Sequence, residues 1–85
     1  MAKVIIYTAM LCPYCGSAKS LLKSKQADFE EVDVTFKPGK RHEMQQKAGG
    51  SGSVPQIWID GRHVGGCREL YALEDAGDLD GLLRA

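Results

Sequence analysis

The chain has 85 residues, 44% hydrophobic and 26% charged, with 11 Lys+Arg against 11 Asp+Glu. That length accommodates one compact core and not two, so residues 1–85 read as a single domain, and the composition is that of a globular rather than a disordered chain. The charge balance argues against nucleic acid as a partner. No stretch approaches the roughly 18 apolar residues of a membrane span, and the start lacks a secretory leader, so a cytoplasmic protein is expected.

Val4-Ile5-Ile6-Tyr7 is a short branched apolar run, the pattern of a strand buried on both faces. From Pro13 to about Lys25, Tyr14, Ala18, Leu21, Leu22 and Lys25 recur at helical spacing, with Pro13 in the first turn where its missing N–H is no loss. Phe29 to Val34 reads as a second strand with Val32 and Val34 on one face. Pro38 then opens a polar helix, roughly Gly39 to Ala48, with a thin apolar face of Met44 and Ala48. Gly49-Gly50-Ser51-Gly52-Ser53 has the composition of a flexible loop.

Asp60-Gly61 between Gln56-Ile57-Trp58-Ile59 and Arg62-His63-Val64 predicts a hairpin, because these residues tolerate the positive φ angles of a type I′ turn. A helix follows from about Arg68 to Ala76, stopped by Gly77, and Asp78 opens a last helical turn carrying Leu79, Leu82 and Leu83. The order is β-α-β-α-β-β-α plus that turn, an α/β architecture. Charge is segregated: Lys37, Lys40, Arg41 and Lys47 make the middle basic, while Glu69, Glu74, Asp75, Asp78 and Asp80 crowd the end.

Three cysteines cannot all pair internally, and in a reducing compartment a C-x-x-C pair points to catalysis or metal rather than to a structural staple. In Cys12-Pro13-Tyr14-Cys15 the first sulfur falls at a helix N-terminus, where unpaired N–H groups and the helix dipole favour negative charge. Cys12 is therefore expected to be the attacking thiolate. Cys15, nearly one turn on, is expected to reach back and resolve the mixed disulfide. The metal alternative is zinc, but zinc needs four ligands, and Cys67, His42 and His63 supply no second close pair.

Cys12-Pro13-Tyr14-Cys15 after Ile6-Tyr7-Thr8, then Ser53-Val54-Pro55-Gln56-Ile57, then Gly65-Gly66-Cys67 before Leu70-Tyr71, together resemble the dithiol glutaredoxin family of bacterial type, nearly end to end. The resemblance implies a thioredoxin-like fold, a central four-stranded mixed sheet flanked by helices. It implies a glutathione-dependent oxidoreductase that reduces protein disulfides and glutathione mixed disulfides. It also implies a monomer whose substrates are disulfide-containing proteins, with ribonucleotide reductase as a family analogy.

By the same resemblance, Pro55 is cis and sets the Val54 backbone beside the active sulfur, to pair with the cysteine moiety of glutathione. Gly65, Gly66 and Cys67 form the turn that admits its γ-glutamyl end, and Tyr14 flanks its sulfur. Two departures stand out. Family members often carry a lysine shortly before the first cysteine, where this chain has Ala9-Met10-Leu11, which leaves Arg41 and Gln45 as candidates for the glycyl carboxylate. Arg68 stands where an acidic residue usually meets the γ-glutamyl ammonium. These departures keep open a second electron source, thioredoxin reductase. A [2Fe–2S] scaffold role, known for some members, is disfavoured by Pro13 after the first cysteine, and no metal is expected.

Overall fold

A computed structural model describes residues 2–84. Its elements are β1 (Val4–Thr8), α1 (Pro13–Ser24), β2 (Phe29–Asp33), α2 (Pro38–Lys47), β3 (Gln56–Ile59), β4 (Arg62–Gly65), α3 (Cys67–Asp75) and α4 (Leu79–Arg84). One mixed sheet runs in the order β2-β1-β3-β4, with β1 parallel to β2 and antiparallel to β3, and β4 antiparallel to β3.

The period-2 alternation of β1 divides the core. Val4 and Ile6 face one way and pack with Ala18, Leu21 and Leu22 of α1, Leu70 of α3, and Leu79 and Leu83 of α4. Ile5 and Tyr7 face the other way, toward Val34, Trp58 and the fully buried Met44 of α2. Burial on both faces is what a continuous branched run demands of a central strand, and β1 is central. The thin apolar face expected for α2 is enough, because this helix alone covers its side of the sheet with Met44 and, less deeply, Ala48.

The turns follow from local chemistry. Asp60 and Gly61 both have positive φ, 50° and 80°, as a two-residue primed turn requires. Gly77, at φ 79°, closes α3: its N–H bonds the Glu74 carbonyl, and the next N–H, of Asp78, bonds that of Leu73. Gly49 does the same for α2 at φ 72°, with bonds to the Gln46 and Gln45 carbonyls.

The 49–53 segment is thereby more constrained than its composition suggests. Its first two residues terminate a helix. Arg41 donates to the Gly52 carbonyl at 3.0 and 3.2 Å, Gln45 donates to that of Gly50 at 3.0 Å, and Ser51 and Ser53 are tied to Gln56. The basic middle is likewise engaged locally. Lys47 lies over the rings of Trp58 and Tyr7, at 5.0 and 5.3 Å from their centroids, and Lys40 pairs with Glu43 at 3.8 Å.

Candidate active site

The strand-to-helix connection at the end of β1 delivers Cys12 to the N-cap of α1. Its backbone is extended (φ −115°, ψ 98°), and Pro13 occupies the first helical position. With a proline there, one of the four unpaired N–H groups of the first turn is missing at no loss, and the Cys15 N–H is free to donate to Cys12 Sγ at 3.2 Å. The sulfur thus does what a serine or aspartate cap does elsewhere. It sits at the positive end of a 12-residue helix with no acidic side chain in its first turn.

Cys12 is half-buried and reaches solvent, whereas Cys15 is only 2% exposed. Burial, and then hydrogen bonding of its thiol to Cys12, push the Cys15 thiol from its ordinary 9.0 up to about 12. Cys67 at the start of α3 is also buried, and its thiol is pushed upward by burial first and then by the facing charges of Cys12 and Glu69. All three cysteines are unpaired thiols.

Beside Cys12 opens a groove of about 670 Å³. Tyr14 stands at one side, the Ser53-Val54-Pro55 backbone forms the floor, and Gly66, Cys67, Arg68, Glu69 and Tyr71 make the wall from α3. The Val54–Pro55 bond is cis, as the resemblance implied, and the Val54 carbonyl accepts from Cys12 Sγ at 3.7 Å. Gly65 has φ 116°, and a Cβ there would meet the Glu69 side chain at 2.8 Å, so only glycine lets this turn close.

Of the expected site residues, Tyr14, Val54, Pro55, Gly66, Cys67 and Arg68 line this groove; Cys12 lies beside it through its contacts with the Val54 carbonyl and the Cys15 N–H, while Pro13, Cys15 and Gly65 are only chain neighbours of the lining residues. The structure does not bring Arg41 and Gln45 to the groove wall: their side chains hold the Gly52 and Gly50 carbonyls. Ser53, Glu69 and Tyr71 line the groove although sequence reasoning did not select them. The signal for Glu69 was its place three residues after Gly66. From there its carboxylate reaches back to the Gly66 N–H at 2.7 Å, the helix-entry half of a capping box. Tyr71 donates to the Ser17 carbonyl of α1 at 3.2 Å, linking the two helices that flank the groove. Among the described residues Arg68 makes no ion pair.

Chemically, the arrangement offers one accessible sulfur at a helix N-terminus, a second sulfur shielded behind it, and a backbone edge and helix start beside them. That set suits thiol–disulfide exchange with a small peptide-like ligand. No helix is long and apolar enough to cross a membrane, and no group of three potential metal ligands is found among the described residues.

The glutaredoxin family model matches residues 4–64. Over all 85 residues, and the full length of the relative, the chain is 55% identical to a glutaredoxin of Pseudomonas aeruginosa. It is 50% identical over 84 residues to glutaredoxin 3 of Escherichia coli, covering 99% of this chain and all of the relative. A buckwheat glutaredoxin–glutathione complex superposes with a TM-score of 0.88 over 98% of this chain and 77% of that one, at 22% identity, and so speaks for the fold.

Proposed function

Since the chain belongs to the glutaredoxin family, and is with it a glutathione-dependent thiol–disulfide oxidoreductase of thioredoxin-like fold, we propose that Cys12 is its nucleophile and Cys15 its resolving thiol. The observation that carries this assignment is the Cys15 N–H bonded to Cys12 Sγ at 3.2 Å, at a half-buried helix cap that touches the Val54 carbonyl of the groove lining.

With a glutathione mixed disulfide, the Cys12 thiolate attacks the glutathionyl sulfur. The Cys12–glutathione disulfide forms as the substrate's other sulfur leaves as thiolate. A second glutathione thiolate then attacks the bound glutathionyl sulfur, releasing oxidised glutathione and regenerating Cys12. With a protein disulfide, Cys12 forms a mixed disulfide with one protein sulfur and releases the other. Cys15 then attacks Cys12 Sγ and displaces the protein. Its thiol proton, retained at rest by burial, passes to the departing sulfur. Two glutathione molecules reduce the resulting Cys12–Cys15 disulfide.

We assign the floor at Val54 and Pro55 to the cysteine moiety of glutathione, and Tyr14 to its sulfur. The turn of Gly65, Gly66 and Cys67, with Arg68, is assigned to its γ-glutamyl end. Glu69 holds the Gly66 N–H with its carboxylate, so the N–H groups of Cys67, Arg68 and Glu69 in the first turn of α3 are the ones left for a carboxylate. Arg41 and Gln45 receive a supporting part, holding the loop that carries Ser53. The reading extends to one domain acting as a cytoplasmic monomer on disulfide-containing proteins, ribonucleotide reductase among them by family analogy.

The test is glutathione-coupled reduction of the mixed disulfide of glutathione and 2-mercaptoethanol, and of a disulfide-bonded protein, by wild type, Cys12→Ser and Cys15→Ser. Cys12→Ser is expected to be inactive on both. Cys15→Ser is expected to keep the first activity and lose most of the second. Undiminished turnover in Cys12→Ser would remove the assignment.

A further inference from the structure

Gln56 opens β3 directly after the cis Val54–Pro55 pair and is 4% exposed. The amide nitrogen lies 3.1 Å from the Ser53 carbonyl and 3.2 Å from each of the Ser51 and Ser53 hydroxyls. A carbonyl oxygen only accepts, so the amide must present its nitrogen to Ser53. Its Oε1 therefore faces His63 Nε2, 2.7 Å away, and that ring nitrogen must be the donor. His63 in turn stacks on Trp58 with centroids 4.6 Å apart and planes 26° apart. A chain of bonded groups thus runs from the sheet face through Gln56 to Ser53, which lines the groove, one residue before the Val54 carbonyl that meets Cys12 Sγ.

The other ties on this segment, from Arg41 to Gly52 and from Gln45 to Gly50, are solvent-exposed, where water competes for both partners. The Gln56 tie is the part-buried one: Gln56 is 4% exposed, an unpaired buried amide is costly, and its side-chain groups are all bonded.

We infer that Gln56 is a positioning residue for substrate binding: its amide holds the Ser53–Val54 backbone at the height the bound disulfide requires, with His63 fixing the orientation of that amide. This rests on the proposed exchange at Cys12. Gln56 touches no reacting atom, so its removal should loosen binding without slowing the sulfur chemistry.

Gln56→Glu keeps the size and still accepts from His63, but turns an oxygen against the Ser53 carbonyl. With the glutathione–2-mercaptoethanol disulfide as probe, its KM is expected to rise about tenfold while kcat, and the rate of Cys12 alkylation by iodoacetamide, stay within about twofold of wild type. An unchanged KM would overturn the inference, as would KM, kcat and alkylation worsening together, the signature of a general loss of structure. Should Gln56→Glu fail to fold, His63→Phe keeps a ring on Trp58 and removes the donor to Gln56. A KM raised about threefold is then expected, and a wild-type KM overturns the inference. Cys12→Ser is measured alongside: activity surviving in it sinks the premise and the positioning role with it, whereas an inactive Cys12→Ser beside a kinetically silent Gln56→Glu sinks the positioning role alone.

Discussion

The backbone N–H of Cys15 is directed at Cys12 Sγ from 3.2 Å, while the sulfur of Cys15 itself lies buried behind it. In the exchange proposed above, one residue thus serves the other twice, as a hydrogen-bond donor at rest and as an internal thiol in turnover. The three cysteines should consequently separate in reactivity. At neutral pH, limiting iodoacetamide is expected to modify Cys12 at least about tenfold faster than Cys15 or Cys67, read by mass spectrometry of the peptides. The reason is that Cys12 is only half-buried at its helix N-terminus, whereas Cys15 and Cys67 are buried and burial pushes their thiols upward. Comparable labelling of Cys67 would contradict the geometry of the α3 start.

The raised Cys15 thiol carries a signature in stability. In the folded protein it titrates near 12, against an ordinary 9.0, because burial and its bond to Cys12 favour the protonated form. The unfolded chain loses this proton first, so the stabilisation is fully present below about pH 9 and drains away as pH rises toward 12. Cys67 is shifted in the same direction and adds to the slope. Urea denaturation under reducing conditions should therefore show stability falling across that interval, and Cys15→Ala should flatten the fall. An equally steep decline in Cys15→Ala would place its origin elsewhere.

Arg68 lines the groove without an ion-pair partner among the described residues. The adjacent Glu69 carboxylate is taken by the Gly66 N–H. In the glutathione placement proposed above, the γ-glutamyl ammonium would meet an uncompensated cation at this wall. Arg68→Asp should relieve the repulsion and supply a partner, lowering KM for glutathionyl substrates by up to about fivefold, the equivalent of about 1 kcal/mol for an exposed pair. The gain should shrink at high salt, because the groove is open to water. An unchanged or higher KM in Arg68→Asp would mean that the guanidinium already binds the γ-glutamyl carboxylate.

Where a function depends on neighbours in sequence, the residues announce it; where it depends on which of several donors a loop captures, they do not. Cys12 at a cap and Asp60-Gly61 at a primed turn are local events, set by a strand end, a proline and a glycine, and both lie where periodicity put them. Arg41 and Gln45 entered as glycyl-carboxylate candidates through the family resemblance, because no lysine stands in Ala9-Met10-Leu11. Once Gly49 ends α2, the following carbonyls need donors, and these two side chains are within reach, a competition invisible in a linear reading. The link between Gln56 and His63 is hidden for a different reason: His63 pairs with Trp58 across the hairpin, and Gln56, two residues before Trp58 on the same strand, meets it diagonally, which shows only once the strand register is known.

Three helices end in the same pair of reversed hydrogen bonds, and the residue carrying the left-handed turn is Gly49 for α2 and Gly77 for α3, but Gln26 for α1. At φ 58° the Gln26 N–H bonds the Lys23 carbonyl and the next N–H, of Ala27, bonds that of Leu22. A side chain with a Cβ is disfavoured in that conformation by roughly 1 kcal/mol or more, while glycine gives back part of the difference through its freer unfolded chain. Gln26→Gly is therefore expected to stabilise the protein by about 0.5–1 kcal/mol, a rise of several degrees in Tm for a domain of this size. Activity should not move, because Gln26 follows the C-terminal end of α1 and Cys12 caps its start. A calorimetric scan of the reduced protein decides it, and an equal or lower Tm would show that the strained glutamine is compensated by contacts of its own.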